Sequence, residues 1–262
     1  MLEKASYQRV LEIVHSTRQL SLPYFGRVEK LNFKNGDTSN IQTQIDLDIE
    51  IFLKQELEKV FPSIPFVGEE LGGDTSADMF WLCDPIDGTS SFVRKLIYFT
   101  TMLSLIINGI VEFALIYDVI NDDIYWAVRN NGTFCNVKRI YVSSRTWDQS
   151  SLIFETRNKD FSHFLVDNLS QRIDYKHSCA GYDYILIATG KIEGRIALKP
   201  YGAIWDYAPG CLLVEEAGGI VCNLQSDNYI YTNLEHIACN SEEVYLKIVE
   251  YIDRFYNTNI LV

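Results

Sequence analysis

Basic residues never gather in this sequence. Its 23 lysines and arginines are scattered among 35 aspartates and glutamates, for a formal net charge of -12 and a pI near 4.8. Without a basic block or stripe there is no electrostatic footprint for nucleic acid, so a polyanionic polymer is not expected as a partner. A small phosphorylated molecule is not excluded, because bound metal ions invert the local sign of an acidic pocket. No two of the six cysteines, at 83, 135, 179, 211, 222 and 239, stand at Cys-x-x-Cys spacing. That removes zinc-holding and dithiol redox pairs and leaves the thiols as small buried hydrophobes. The first residues, MLEKASYQRVLEIVHSTRQL, carry charges every few positions. They lack the apolar core of a signal peptide, so a cytoplasmic location with reduced thiols is expected. An uninterrupted membrane span is missing as well. The longest apolar stretch, Thr100 to Ile120, contains Asn108-Gly109 and Glu112, which fit two strands joined by a tight turn and would be costly in lipid. Internal repeats, low-complexity runs and long linkers are also lacking.

What is present is a chain of 262 residues, 47% of them hydrophobic, enough to bury a core for one sizeable domain or two closely packed ones. Leu2, Val10, Leu11, Val14 and Leu20 recur at helical spacing, and Pro23 limits that first helix. A second helix is expected from about Asp46 to Val60, ended by Pro62. Ile45, Ile49, Phe52, Leu53 and Leu57 would form its apolar face, and Asp48, Glu50, Lys54 and Glu58 its polar one. The segments IPFVG, MFWLC, TMLSLII, FALIYDV and IYWAVRN read as strands of one antiparallel sheet. After about Trp147 the texture changes. Strand-like SSLIFE precedes helix-like KDFSHFLVDNL, YDYILIATG and WDYAPGCLLVEEAGG, and a last helix is expected from Ser241 to about Tyr256. An α+β half is thus followed by an α/β half.

Acidic residues supply the candidate chemistry. In WLCDPIDGTSSF, Asp84 and Asp87 bracket Pro85-Ile86 at the end of a strand. Proline fixes the backbone there, so both carboxylates can face one point with the Ile86 carbonyl between them. Carboxylates are hard donors suited to magnesium, manganese or calcium. A helix starting at Gly88-Thr89-Ser90 would offer N–H groups and hydroxyls to an anion. The tetrapeptide alone reads equally well as an Asx-type turn with Asp87 as a helix cap. Three other acidic sites have ordinary readings too: Glu69-Glu70 as a solvated loop, Asp206 as an N-cap, and Asp46 and Asp48 as first-turn acids favoured by the helix dipole. The string from Asp46 to Glu50 lacks the glycine and distal glutamate of an EF-hand loop.

The order VGEE, DPIDGTSSF, WDYAPG and EEAGG resembles the inositol monophosphatase family of magnesium-dependent, lithium-sensitive phosphatases, over most of the chain from the Lys34 region to EEAGG. The resemblance implies an α+β, layered α-β-α-β-α sandwich of the sugar-phosphatase type. Its N-terminal half, residues 1–144, would carry the metal motifs, and its C-terminal half, 145–262, the substrate-side residues and Asp206, in one compact unit. It implies two to three Mg2+ ions held by Glu69, Asp84, the Ile86 carbonyl, Asp87 and Asp206, with Asp84 bridging two of them and Asp206 near the leaving group. Thr89 and Asp46 would be the water-activating couple, and Glu70 would orient water or a third ion. Gly88, Thr89 and Ser90 would seat the phosphate. A homodimer is implied as the assembly, and a small phosphorylated metabolite as the only other partner. The four histidines, at 15, 163, 177 and 236, lie outside all of these motifs.

On the substrate side, Ser178, Ala180 and Asp183 fall where the family meets a sugar or polyol. Where inositol-preferring members carry a glutamate upstream of Asp206, this chain offers Lys199 and Pro200. A lysine facing the pocket would favour a second phosphate or a carboxylate on the substrate, whereas the bland reading leaves it exposed on a loop. The expected activity is hydrolysis of inositol monophosphate. The alternatives within the superfamily are 3'-phosphoadenosine 5'-phosphate, fructose 1,6-bisphosphate and histidinol phosphate. A regulatory binding protein with demoted catalysis is the alternative from another class, and the intact acid set argues against it. Lys34 would help position a mobile loop and a third metal. The acceptor patterns at Asn131 and Asn168 are chance matches without a secretion signal. Segment 129–136 resembles the family's tight hairpin, with Asn131-Gly132 as its turn.

Overall fold

The computed structural model describes residues 4–28, 32–33, 41–169, 172–173, 179–224, 226 and 228–259; Lys34, His177 and Ser178 lie outside them. Helices α1 (Lys4–His15), α2 (Arg18–Ser21) and α3 (Gln44–Val60) precede the main sheet, with a two-stranded pair β1 (Asn32–Phe33) and β2 (Ile41–Gln42) between them. The first expected helix is therefore interrupted at Ser16-Thr17. α3 starts at a capping box in which Thr43 and Asp46 bond reciprocally.

The main sheet has seven strands in sequence order: β3 (Phe66–Gly68), β4 (Met79–Asp87), β5 (Thr100–Ile107), β6 (Ile110–Asp118), β7 (Asp123–Val128), β8 (Gly132–Cys135) and β9 (Lys138–Ile140), with the short helix α4 (Thr89–Val93) after β4. The sheet is antiparallel except at one edge, where β3 runs parallel to β4. That corrects the all-antiparallel expectation, and the cause is a return connection too long for a hairpin. The β5-β6 hairpin turns at Asn108-Gly109, both at positive φ (49° and 76°), as a type I′ turn requires. The β7-β8 turn sits one step earlier than expected: Asn130 takes the left-handed corner (φ 64°) and Gly132 already pairs with Val128.

The second half contains β10 (Leu152–Thr156), α5 (Lys159–Leu169), α6 (Ala180–Ala188), β11 (Gly194–Leu198), α7 (Ile204–Glu216), β12 (Ile220–Asn223), β13 (His236–Cys239) and α8 (Glu242–Asn259). Its four strands are ordered β10-β11-β13-β12, with only β10 and β11 parallel.

Strand alternation builds the layers. Trp81, Cys83, Phe113 and Leu115 pack with Val10, Ile49 and Leu53 of α1 and α3. Phe80, Leu82, Ala114 and Ile116 pack on the other face with Tyr184, Ile187, Leu212 and Leu213 of α6 and α7, which also meet Ile153 and Ala238 of the second sheet. Beyond that sheet Phe161, Leu165, Val244 and Ile248 of α5 and α8 close the stack. The result is α-β-α-β-α, with α6 and α7 as the shared middle layer. None of the described helices is long and apolar enough to cross a membrane. All six cysteines are free, and five of them are buried.

Candidate active site

A regular strand would send Asp84 and Asp87 to opposite faces, since residues three apart differ in parity. They do not diverge, because β4 bulges between them. Asp84 stands opposite Met102 and Asp87 opposite Thr100, three steps against two, and the extra residue restores parity. Pro85, which has no N–H to give the ladder, occupies the break. The Thr101 hydroxyl holds the Pro85 carbonyl at 2.9 Å. Both carboxylates thus face the α6-α7 layer.

Asp206 meets them there. One carboxylate oxygen from each of Asp84, Asp87 and Asp206 lies within 4.8 Å of the other two. Asp206 is the third residue of α7, where its Oδ2 accepts the Ala203 N–H at 2.6 Å; Ala203, not Asp206, is the N-cap. Glu69 follows β3, and its own N–H donates to the Cys83 carbonyl at 3.1 Å, so parallel pairing brings it beside Asp84.

Burial first, and then the neighbouring acids, hold the carboxyls of Asp84, Asp87 and Asp206 above their ordinary range. Asp84 is raised well above it by desolvation and by Glu69, and Asp206 by desolvation and by Asp87 and Glu69. Asp87 is pushed up to about 6 by burial, an effect the Gly181 N–H partly offsets. Oδ1 of Asp84 is buried and has no hydrogen-bond partner among the described residues. Converging hard oxygens, one of them orphaned, are a donor set that fits a divalent cation.

Asp87 is also bonded into the second half of the chain. Its oxygens accept N–H groups of Ala180 (3.1 Å) and Gly181 (2.6 Å) and the Cys179 thiol (3.1 Å) at the start of α6. A Cβ at position 181 would lie 2.5 Å from Thr100 Oγ1 and 3.0 Å from Asp87 Oδ2, so only glycine lets α6 approach this closely. The expected couple is in place: Thr89 Oγ1 lies 2.9 Å from Asp46 Oδ1 and 3.0 Å from the Ile86 carbonyl. Asp46 Oδ2 accepts both the N–H (2.9 Å) and the hydroxyl (2.5 Å) of Thr43, and burial pushes its carboxyl up to about 6. Glu70 is half-buried and accepts from the Gln42 amide. Gly88 caps α4 in the left-handed region at φ 87°; its carbonyl accepts the Ser91 and Phe92 N–H groups, while those of Thr89 and Ser90 at the helix start have no helical partner.

The substrate-side residues are less convergent. The Ala180 N–H is engaged by Asp87. The Ser90 hydroxyl is bonded to Arg94. Asp183 is fully buried, its Oδ2 accepting from Arg195 Nε at 3.2 Å, so it belongs to the core rather than to an open pocket. Lys199 is exposed and held by its backbone in the left-handed region (φ 46°), its N–H donating to Glu235 at 2.8 Å. Two of the histidines have partners away from the cluster: His15 pairs with Asp122 on the surface, and His236 is buried against Tyr184.

Glu50, expected on the polar face of α3, is fully buried. Backbone N–H groups of Glu70 and Leu71 supply its partners, and the burial pushes it up to about 7. The i,i+4 spacing from Asp46 was the available signal. Cys179 and Thr100, which contact Asp87, carried no sequence signal at all.

A pH dependence follows for protein freed of divalent cations. The carboxyls of Asp46 and Asp87 rise from 3.8 to about 6 on folding. Between these values the native chain binds more protons than the unfolded one, so the unfolding free energy falls as pH rises. Each group, titrating alone, would contribute on the order of 3 kcal/mol. Chelator-treated protein should therefore melt at a higher temperature near pH 5 than near pH 7.5. Added Mg2+ should raise the melting temperature more at the higher pH, a difference that scanning fluorimetry measures directly.

A sequence profile described as the inositol monophosphatase family matches residues 4–254. Among related proteins, an inositol-1-monophosphatase of Bacillus subtilis (strain 168) is 26% identical over 222 residues, 81% of this chain and 83% of that protein. A Nus factor SuhB of Escherichia coli (strain K12) is 29% identical over 208 residues, 74% of this chain and 76% of that one. Among solved structures, an IMPase of Thermotoga maritima matches with a TM-score of 0.86 at 22% identity, covering 98% of this chain and 99% of the other. At that identity the likeness speaks for the fold alone. The profile, which spans nearly the whole chain, takes in every acid of the cluster, and on that ground the protein belongs to the inositol monophosphatase family.

Proposed function

We propose that this protein is a Mg2+-dependent phosphomonoester hydrolase acting on a small phosphorylated metabolite, inositol monophosphate first. The observation that carries the reading is the convergence of Asp84, Asp87 and Asp206, with Asp84 Oδ1 left unpartnered. Divalent cations held by these residues with Glu69 and the Ile86 carbonyl would supply Lewis acidity toward water, the phosphoryl oxygens and the leaving oxygen. The chain's own residues do the rest. Asp46 accepts the Thr89 hydroxyl hydrogen, which turns the Thr89 oxygen lone pairs toward an attacking water. A proton taken by Thr89 can then pass to Asp46, whose carboxyl, raised to about 6, suits a base working near neutrality. N–H groups of Gly88 and Thr89 at the start of α4 support the phosphate, and Glu70 orients water.

A second substrate reading has its own observation. Lys199 is exposed on the segment leading into α7, four residues before its N-cap Ala203, and a cation there would favour a second phosphate or a carboxylate. Kinetics at saturating Mg2+ on inositol 1-phosphate, 3'-phosphoadenosine 5'-phosphate, fructose 1,6-bisphosphate and histidinol phosphate separate the two. The expected order puts inositol 1-phosphate highest in kcat/KM. Equal or better turnover of any other would displace it, and no Mg2+-dependent phosphate release from any of them would favour a regulatory binding role instead.

A further inference from the structure

Helix α3 presents two carboxylates one turn apart, Asp46 and Glu50, at 1% and 0% exposure. They serve different walls of the site. Asp46 reaches Thr89 on the α4 side. Glu50 reaches the loop after β3, where its Oε2 accepts the Glu70 N–H at 2.9 Å and its Oε1 the Leu71 N–H at 2.6 Å. Gly68 passes so near that a Cβ there would lie 2.1 Å from Glu50 Oε1. Reciprocal bonds of 3.0 Å between Gly68 and Gly72 close the same loop. A buried carboxylate is costly unless hydrogen-bonded, and two N–H groups from adjacent residues fix both its plane and the loop that donates them.

We propose that Glu50 is a positioning residue: by gripping residues 70–71 from below it orients Glu69 and Glu70 and thereby sets the site's affinity for divalent cations. The inference rests on the reading of the acidic cluster as a cation site. Glu50 need not touch the cation, because its effect passes through the backbone that presents Glu69 and Glu70. A glutamine at this position keeps the shape but turns an NH2 toward one of the two N–H groups, which breaks the grip without opening a cavity.

The test is calorimetric titration of Mn2+ into cation-free wild type, Glu50→Gln and Asp84→Asn, with KM for inositol 1-phosphate measured at saturating cation. Outer partners of metal ligands typically contribute 10- to 100-fold in affinity. Glu50→Gln should therefore bind Mn2+ at least about tenfold more weakly while its KM moves less than about twofold, a split that general loosening of the fold would not give. Asp84→Asn should not bind. Wild-type binding by Asp84→Asn would sink the cation-site reading itself. Loss in Asp84→Asn with wild-type affinity in Glu50→Gln would overturn only the role given to Glu50. If Glu50→Gln does not fold, hydrogen exchange of the wild-type Glu70 and Leu71 amides decides. Slow exchange that slows further with Mg2+ supports the inference, and exchange at peptide rates or indifference to Mg2+ refutes it.

Discussion

Asp84→Asn is expected to lose phosphate-releasing activity by about 10³-fold or more while the fold survives or gains stability. The two halves of that result come from one fact, the burial of a carboxylate that leaves its Oδ1 unpartnered. A cation held partly by Asp84 would supply several kcal/mol of charge stabilisation in the transition state, and each 1.4 kcal/mol is about a factor of ten in rate. Without a cation the same carboxylate is a liability, since burial and Glu69 already hold its pKa well above the usual range. A neutral amide of the same shape removes that repulsion. Rates with and without Mg2+, set beside melting curves of chelated protein at pH 7.5, check both halves. Activity that survives, or a large drop in the chelated melting temperature, would show that Asp84 is a structural acid and not a ligand.

Arg195→Met should be the most damaging substitution to stability outside the cluster. Arg195 is fully buried in β11, with Nε on Asp183 (3.2 Å), Nη1 on the Tyr184 hydroxyl (3.2 Å), Nη2 on Glu155, and its guanidinium 5.0 and 5.1 Å from the rings of Tyr184 and Tyr207. Methionine fills much of the volume but leaves two carboxylates without their counter-ion. Breaking a buried pair in this way costs roughly 3–5 kcal/mol. The stranded acids can recover only by taking up protons. An uncompensated buried carboxylate favours its neutral form, so the loss should deepen as pH rises from about 5.5 to 8. Urea unfolding at the two pH values measures this. Adding Glu155→Gln and Asp183→Asn to Arg195→Met should restore much of the stability, because removing a whole buried ionic group is far less costly than removing one member. Failure of that rescue would mean that Arg195 acts mainly through packing on its tyrosines.

The network also reaches the acidic cluster. Glu155 Oε1 accepts the Tyr201 N–H at 2.7 Å and the Tyr207 hydroxyl at 3.2 Å, and that hydroxyl accepts the Gly202 N–H at 2.6 Å. The segment that delivers Asp206 is thus anchored to the core from beneath.

Much of this was legible in the sequence, and the misses have physical causes. The span of α3 and the Asn108-Gly109 hairpin could be read because periodicity and turn chemistry are local properties, whereas the acids at 69, 84, 87 and 206 stood out only through a motif order spread along the chain, and the fold brings 84, 87 and 206 together. What local pattern could not show was why Asp84 and Asp87 agree in direction. Alternation predicts that they disagree, and only the bulge at Pro85-Ile86 reconciles them. Glu50 was misread because its partners are backbone N–H groups twenty residues away, which leave no side-chain pattern. β11 and β13 escaped notice because GRIAL and HIAC are short, buried on both faces, and carry an arginine and a histidine that only long-range partners make acceptable in a core.

The double engagement of Asp87 changes what its presence in any relative would signify. Its oxygens cap the start of α6 as well as facing Asp84 and Asp206, so a descendant that had abandoned phosphate chemistry would still be under pressure to keep it. Asp84, orphaned on one oxygen, and Asp206, which holds only its own helix start, have no comparable second employment. Drift at positions 84 and 206 is therefore the informative sign of a retired enzyme in this fold, and an intact Asp87 is no proof of a working one.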